Sequence, residues 1–203
     1  GVDVPVERIT SEYDAVLLAA GAGQPRDLTV PGRSLGGVHF AMEYLTLANR
    51  RCEGDAIPEE TFISAEGKHV VIIGGGDTGA DCLGTAHRQK AQSVTQLELM
   101  PMPPDSRAAG NPWPQWPHIF RVSSAHEEGG ERLFAVNTQR CLADGDGRIR
   151  AIEAVKVEMV RRDGRVEFVP VPGSTFEIRA ELVLLAMGFT GPERGALITD
   201  LGV

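Results

Sequence analysis

The stretch that decides the fold is Lys68–Glu98, KHVVIIGGGDTGADCLGTAHRQKAQSVTQLE. An apolar run, Val70–Ile73, stops at Gly74-Gly75-Gly76; a helical pattern begins near Asp77, and a second β-rich run, Ser93–Leu99, follows about one helix later. Strand, glycine turn, helix and strand, with glycines spaced G-x-G-x-x-G, open a dinucleotide-binding βαβ unit. In such a unit Gly74 makes the tight turn, Gly76 lets the backbone approach a pyrophosphate, and Gly79 lets the helix pack closely on the strand. The N–H groups of the new helix N-terminus, helped by the helix dipole, supply the anion site. The candidate binding residues are therefore Gly74, Gly75, Gly76, Asp77, Thr78 and Gly79. Asp77 and Thr78 act through backbone N–H groups or as the helix cap. The helix is expected to reach about Ala91, with Cys82, Leu83 and Ala86 toward the sheet. His87, Arg88 and Lys90 fall near its C-terminal end, where positive charge suits the dipole.

Working outward, the composition narrows the classes. At 203 residues, 42% hydrophobic and 24% charged, the chain can bury a sizeable core. A net charge of −8 argues against a broad nucleic-acid surface. Cys52, Cys82 and Cys141 are far apart and form no CxxC pair, so no metal site is expected from them, and free thiols fit a reducing cytoplasm. No apolar run approaches the ~18 residues of a membrane span, so no membrane partner is expected. The chain starts at Gly1 without a methionine and stops at Val203, and reads as a piece of a longer protein.

On the N-terminal side, EYDAVLLAAG (Glu12–Gly21) reads as a buried strand over Ala15–Ala20 ending in glycine. His39–Arg51 has helical spacing, and the polar Glu53–Gly67 reads as a crossing between domains. On the C-terminal side, Met100–His118 is a proline-rich loop holding both tryptophans, which are expected to be packing anchors. It follows the second strand directly, at the sheet edge where ligands bind. Ser123–Gly130 reads as a polar loop, with Glu127 and Glu128 a solvated turn rather than a catalytic pair. Beyond it, Leu133–Leu142, Ile149–Val160, Val166–Val171 and Thr175–Ile178 are separated by DGDG, RRDG and PGS turns, the pattern of a three- or four-stranded antiparallel meander.

One repeat sets the organisation. YDAVLLAAG (Tyr13–Gly21) and AELVLLAMG (Ala180–Gly188) each have an acidic residue, an apolar run and Ala-x-Gly, with a glycine and a proline shortly after. Two such return strands flanking one βαβ unit imply pieces of two dinucleotide-binding domains.

These features together resemble the small (β) subunits of glutamate synthase and, more broadly, related flavoprotein electron-input modules such as that of dihydropyrimidine dehydrogenase. The resemblance rests on VIIGGGDTGADCLGTAHR (Val71–Arg88), LELMPMPPDSRAAGNPWPQWP (Leu97–Pro117), SSAHEEG (Ser123–Gly129) and the two repeat strands. It implies an α/β fold, a Rossmann-like parallel sheet centred on Val70–Ile73 with an antiparallel β-meander, inserted in a partial FAD-type domain. The expected parts are 1–60 (FAD-domain segment and connector), 68–190 (NAD(P)H-binding domain) and 191–203 (return into the FAD domain). The family passes electrons from NADPH through FAD and iron–sulfur clusters to a large subunit that makes glutamate. This sequence lacks the family's cysteine clusters and its first glycine motif. Iron–sulfur clusters and FAD are thus expected in the intact protein, with FAD not held by this chain alone.

Hydride transfer between a nicotinamide and a flavin is carried by the cofactors and needs no general acid or base, so no catalytic side chain is assigned. Glu98 lies roughly 20 residues past the glycines, where an acid binds the ribose 2′-hydroxyl of NAD. Arg107, with Arg88 as a second candidate, could instead clamp the 2′-phosphate of NADPH. Resemblance favours NADPH, and the position of Glu98 keeps NADH open. Gly188, ending the second return strand, is the remaining binding candidate. The rival readings are a methyltransferase using S-adenosylmethionine and a non-catalytic regulatory or scaffolding module.

Overall fold

The computed structural model describes residues 3–202. Its helices are α1 (Val6–Glu12), α2 (Ala41–Cys52), α3 (Asp77–Arg88), α4 (Ser124–Glu127) and α5 (Ala196–Leu201). Its strands are β1 (Gln24–Pro25), β2 (Val38–Phe40), β3 (His69–Ile73), β4 (Ser93–Glu98), β5 (Glu131–Phe134), β6 (Val136–Ala143), β7 (Ile149–Arg162), β8 (Arg165–Arg179), β9 (Leu182–Leu185) and β10 (Phe189–Gly191). The chain divides into a smaller unit, Gly1–Arg26 with Gly188–Val203, and a larger one, Asp27–Met187.

The larger unit is built on a five-stranded parallel sheet of order β2-β9-β3-β4-β5, with β3 central as expected. Successive side chains of a strand point to opposite faces, and both faces here are covered. Val70 and Ile72, with Leu182 and Leu184, pack on Tyr44 of α2 and on Cys82, Leu83 and Ala86 of α3. Val71 and Ile73, with Val183 and Leu185, pack on Ile149, Ile152 and Ala154 of the meander. That double burial is why β3 and β9 read as unbroken apolar runs rather than as alternation. The third layer is the antiparallel sheet β6-β7-β8.

Several boundaries differ from the sequence expectation, each for a local reason. Residues 27–60 belong to the larger unit, because β2 pairs with β9 (Val38↔Val183) and Tyr44 of α2 is buried beneath the sheet. The domain boundary expected near residue 60 therefore falls at Arg26–Asp27, and Glu53–Gly67 is a surface connection from α2 to β3. Likewise 188–190 fall in the smaller unit. Helix α3 ends at Arg88, short of Ala91, in a Schellman motif: Lys90 takes φ +64°, its N–H reaches the His87 carbonyl, and the Ala91 N–H reaches Ala86. The run 133–142 is two strands, broken at Ala135 (φ +55°), so that β5 pairs with β4 and β6 turns into the meander. The RRDG hairpin turns at Asp163 and Gly164, both with positive φ, as a two-residue type I′ turn requires. The PGS segment is a bulge within the single strand β8, where Ser174 Oγ bonds the Val171 carbonyl and accepts from the Lys156 N–H.

In the smaller unit β1 pairs antiparallel with β10. The strand expected over Ala15–Ala20 does not form: the segment takes no regular secondary structure, and Leu17 is 91% exposed. Among the described residues nothing pairs with it, and an extended backbone becomes a strand only when a neighbour takes its N–H and C=O groups.

Candidate nucleotide-binding site

The glycine turn is wedged against the carboxyl ends of three strands. Gly74 donates its N–H to the Leu97 carbonyl of β4 at 2.8 Å, and Ala186, just past β9, donates to Ile73 at 2.8 Å. Gly74 has φ +126°, and a Cβ built there would run into the Ala186 carbonyl. A side chain is thus excluded twice over, by backbone conformation and by space. At Gly79 a Cβ would meet the Gly74 carbonyl and, at 2.5 Å, Gln96 Nε2, so the helix can seat on the strand only with glycine there. Gly76 is different. It caps α3 with φ −82° and ψ −173°, offers no side-chain cap, and has open space where a Cβ would stand. The cap is therefore Gly76 rather than Asp77 or Thr78. The first-turn N–H groups that follow it have no partner within the helix, since the first four N–H groups of any α-helix lack one. Open space over those donors, at the positive end of a 12-residue helix, is the geometry an anionic phosphate fills.

Glu98 joins this group directly. Its Oε2 accepts the Gly75 N–H at 2.8 Å and its Oε1 accepts the Met100 N–H at 2.9 Å, so the carboxylate is fixed at the edge of the turn.

Behind the turn lies a brace that the sequence reading missed. Gln96, 1% exposed, donates from Nε2 to the Gly74 carbonyl at 2.9 Å, and its Oε1 meets His126 Nε2 at 3.0 Å. The Ser123 N–H points at His126 Nδ1 at 3.2 Å, with the Ser123 hydroxyl 2.9 Å away. Nδ1 therefore carries the lone pair, and Nε2 carries the proton donated to Gln96. Burial, with a smaller contribution from the Arg132 charge, lowers the His126 pKa from its ordinary value of 6.5 and keeps the imidazole neutral at pH 7. One signal was available in the sequence: a glutamine inside a strand buried on both faces must find partners for its amide.

The remaining candidates have partners of their own. Arg107 Nη1 donates to the carbonyls of Asn111 at 3.1 Å and Gln115 at 3.0 Å, bracing the proline-rich loop. Arg88 is paired with Glu128 at 2.7 Å. Gly188, φ +81°, lies in the smaller unit, its carbonyl accepting the Arg26 N–H at 2.9 Å. The tryptophans do not anchor the loop by burial: Trp113 is 83% and Trp116 75% exposed. Asn111 fixes the loop instead, donating to Gln115 Oε1 and to the Trp116 carbonyl and accepting the His118 N–H. The smaller unit has its own cavity of about 660 Å³, lined by Leu18, Ala20, Gly23, Thr190, Pro192 and Ile198, none of them from the glycine turn. Among the described residues no group of metal-ligating side chains gathers.

The residues of the glycine turn fall within a family match. Residues 3–113 match the model described as "Pyridine nucleotide-disulphide oxidoreductase". The chain belongs to this family. It is 58% identical over 206 residues to a protein of Mycobacterium tuberculosis named "Glutamate synthase [NADPH] small chain", covering 100% of this chain and 41% of that one. It is 43% identical to "Glutamate synthase [NADH]" of Schizosaccharomyces pombe, covering 96% of this chain and 10% of that one. The chain thus spans about two fifths of the length of its bacterial relative. Among solved structures, Mycobacterium tuberculosis FprA in complex with NADPH superposes with a TM-score of 0.61 at 18% identity, over 95% of this chain and 54% of FprA. That likeness shows the shared fold. The parallel sheet, the meander and the oxidoreductase family stand as the sequence implied.

Proposed function

We propose that this chain is the pyridine nucleotide-binding module of a glutamate synthase small subunit-like flavoprotein. In the intact protein it delivers hydride from a nicotinamide dinucleotide to FAD, and electrons continue through iron–sulfur clusters to a large subunit that makes glutamate. The observation that carries this reading is the open space at Gly76 above the unpaired N–H groups of α3. On this reading the larger unit holds the nucleotide, and the smaller unit is the part of the FAD-type domain present here. The exposed apolar side chains Val16, Leu17 and Leu18 suit a segment covered by further chain, and the relatives are longer. The 58% identity to a glutamate synthase small chain supports the partner and the pathway. Three free thiols suit a reducing cytoplasm.

The chain's residues have three tasks: the α3 N–H groups receive the pyrophosphate, Gly76 leaves it room, and the Gln96–His126 brace holds the turn. A bound nicotinamide supplies the hydride itself. No side chain here has to move a proton.

The test is a flavin-to-protein absorbance ratio on the purified chain, followed by a nicotinamide nucleotide titration and an oxidation assay with a dye acceptor. The expected result is nucleotide binding with no stoichiometric flavin and no turnover above background. Failure to bind either NADH or NADPH favours the scaffolding alternative, and bound FAD with turnover overturns the assignment of the smaller unit.

A further inference from the structure

Both of the chain's tryptophans sit in GNPWPQWP (Gly110–Pro117), and both face solvent. Tryptophan is on average a well-buried residue, so two bare indoles in one loop mark a contact surface. The guanidinium of Arg121 lies over the Trp116 ring, 4.4 Å from its centroid, and covers one face while the other stays bare. The indoles are also held ready. The Gln115 N–H closes a turn on the Pro112 carbonyl at 3.0 Å, and the Phe120 N–H ties the far limb of the loop to the Pro104 carbonyl at 2.8 Å. Asn111 and Arg107 fix the backbone between these ties through their side chains. Ordering the loop beforehand removes much of the entropic cost of an interface, and tryptophan and arginine are the side chains in which interface energy concentrates.

Two properties of the loop say what covers it. The first is self-complementarity. Proline-rich segments dock on aromatic surfaces, and this loop exposes both halves of such a pair, Trp113 and Trp116 beside the exposed Pro112 and Pro114. The second is charge. The chain carries −8, yet residues 99–122 hold one acid, Asp105, against two arginines, Arg107 and Arg121. Two copies of an acidic protein repel each other over most of their surface, and at this stretch they can approach without that penalty. A basic partner would be drawn to the acidic remainder instead. The size agrees with a weak contact. Two indoles supply about 150–250 Å² each, near half of the ~800 Å² that each partner gives to a standard interface. The exposed Met102 and Val122 flank the Pro104–Phe120 tie and extend the apolar surface.

We propose that the loop Gly110–Pro117 is the contact face of a reversible homodimer, in which each copy lays its indoles on Pro112 and Pro114 of the other about a two-fold axis. The contact is separate from the nucleotide reading of the glycine turn and does not depend on it.

The test is sedimentation of the purified chain across a range of concentrations, with tryptophan emission read on the same samples. Because both tryptophans lie in this loop, the emission reports on it alone. The expected result is a monomer–dimer equilibrium with a midpoint on the order of 10 μM, and emission that moves to shorter wavelength as dimer forms. Trp113→Ser combined with Trp116→Ser changes two exposed positions, so the variant keeps its fold, and its dimerisation weakens about thirtyfold or more. Asn111→Ala keeps the indoles but frees the loop, and dimerisation weakens about three- to tenfold. A chain that stays monomeric at every concentration overturns the proposal, independently of any variant. A dimer that forms without a change in emission, or as strongly in the double variant, also overturns it, since another face then makes the contact. A monomer whose emission shifts only when a glutamate synthase large subunit is added overturns it too, and gives the loop to that partner.

Discussion

Two segments of nearly the same sequence meet opposite fates. In DAVLLAAG (Asp14–Gly21) and ELVLLAMG (Glu181–Gly188), Leu17 stands where Leu184 stands in the other. Leu184 is 0% exposed and Leu17 91%. Both glycines take left-handed backbone, φ +76° at Gly21 and +81° at Gly188, so the chain leaves each segment by a similar turn. What differs is company. Leu182–Leu185 is flanked by β2 on one side and β3 on the other, with helices above and the meander below. Asp14–Gly21 has no ladder neighbour among the described residues. An apolar run states what a segment will do if neighbours come; it does not supply them.

The largest effect expected from this contrast is on stability. Leu184→Ala removes a fully buried side chain and should cost about 2–5 kcal/mol, while Leu17→Ala should stay within about 0.5 kcal/mol. Urea unfolding of the two variants separates the cases. A Leu17→Ala loss as large as that of Leu184→Ala would mean that the first segment has partners after all.

The same contrast explains what the sequence revealed. Where a pattern is local, it was readable: the strand and glycine turn at 70–79, the α3 face of Cys82, Leu83 and Ala86, and the hairpin turn at Asp163-Gly164. Where the outcome depends on residues distant in sequence, it was not. The strand at 15–20 needed neighbours, and β2 belongs to the larger unit only because β9 returns nearly 150 residues later to pair with it. The site divides in the same way. The glycines announce themselves by spacing, and Glu98 by its distance from them. Gln96 and His126 lie 30 residues apart, and the tertiary fold alone brings them together behind Gly74. Arg107 braces its own loop through the carbonyls of Asn111 and Gln115, partners that the sequence did not name.

A smaller effect tests that brace. Gln96→Leu removes one partner each from His126 and the Gly74 carbonyl and should cost about 1–3 kcal/mol, weakening nucleotide binding along with stability. Unchanged unfolding and unchanged binding would show that the turn holds its shape without it.

The smallest effect is one of pH. The His126 pKa is lowered in the folded protein, so below 6.5 the unfolded chain binds the proton more readily than the folded one. The stability contributed by the neutral imidazole is fully present above pH 6.5 and is lost as pH falls from there through the lower folded value. Comparing urea midpoints of wild type and His126→Gln between pH 7.5 and 5 should show the two converging on acidification. Divergence would mean that the charged imidazole is the favoured form.

The central claim, that the turn at Gly74–Gly79 holds a dinucleotide pyrophosphate, is tested most directly at Gly76. Its backbone is extended and a Cβ there meets nothing, so Gly76→Val fits the protein but fills the space the phosphates need. The decisive measurement is an NADH titration of wild type and Gly76→Val, with urea unfolding as the check that both are folded. The account predicts saturable binding by the wild type and its loss in a variant of near-normal stability. Equal affinity in a folded Gly76→Val protein would contradict it.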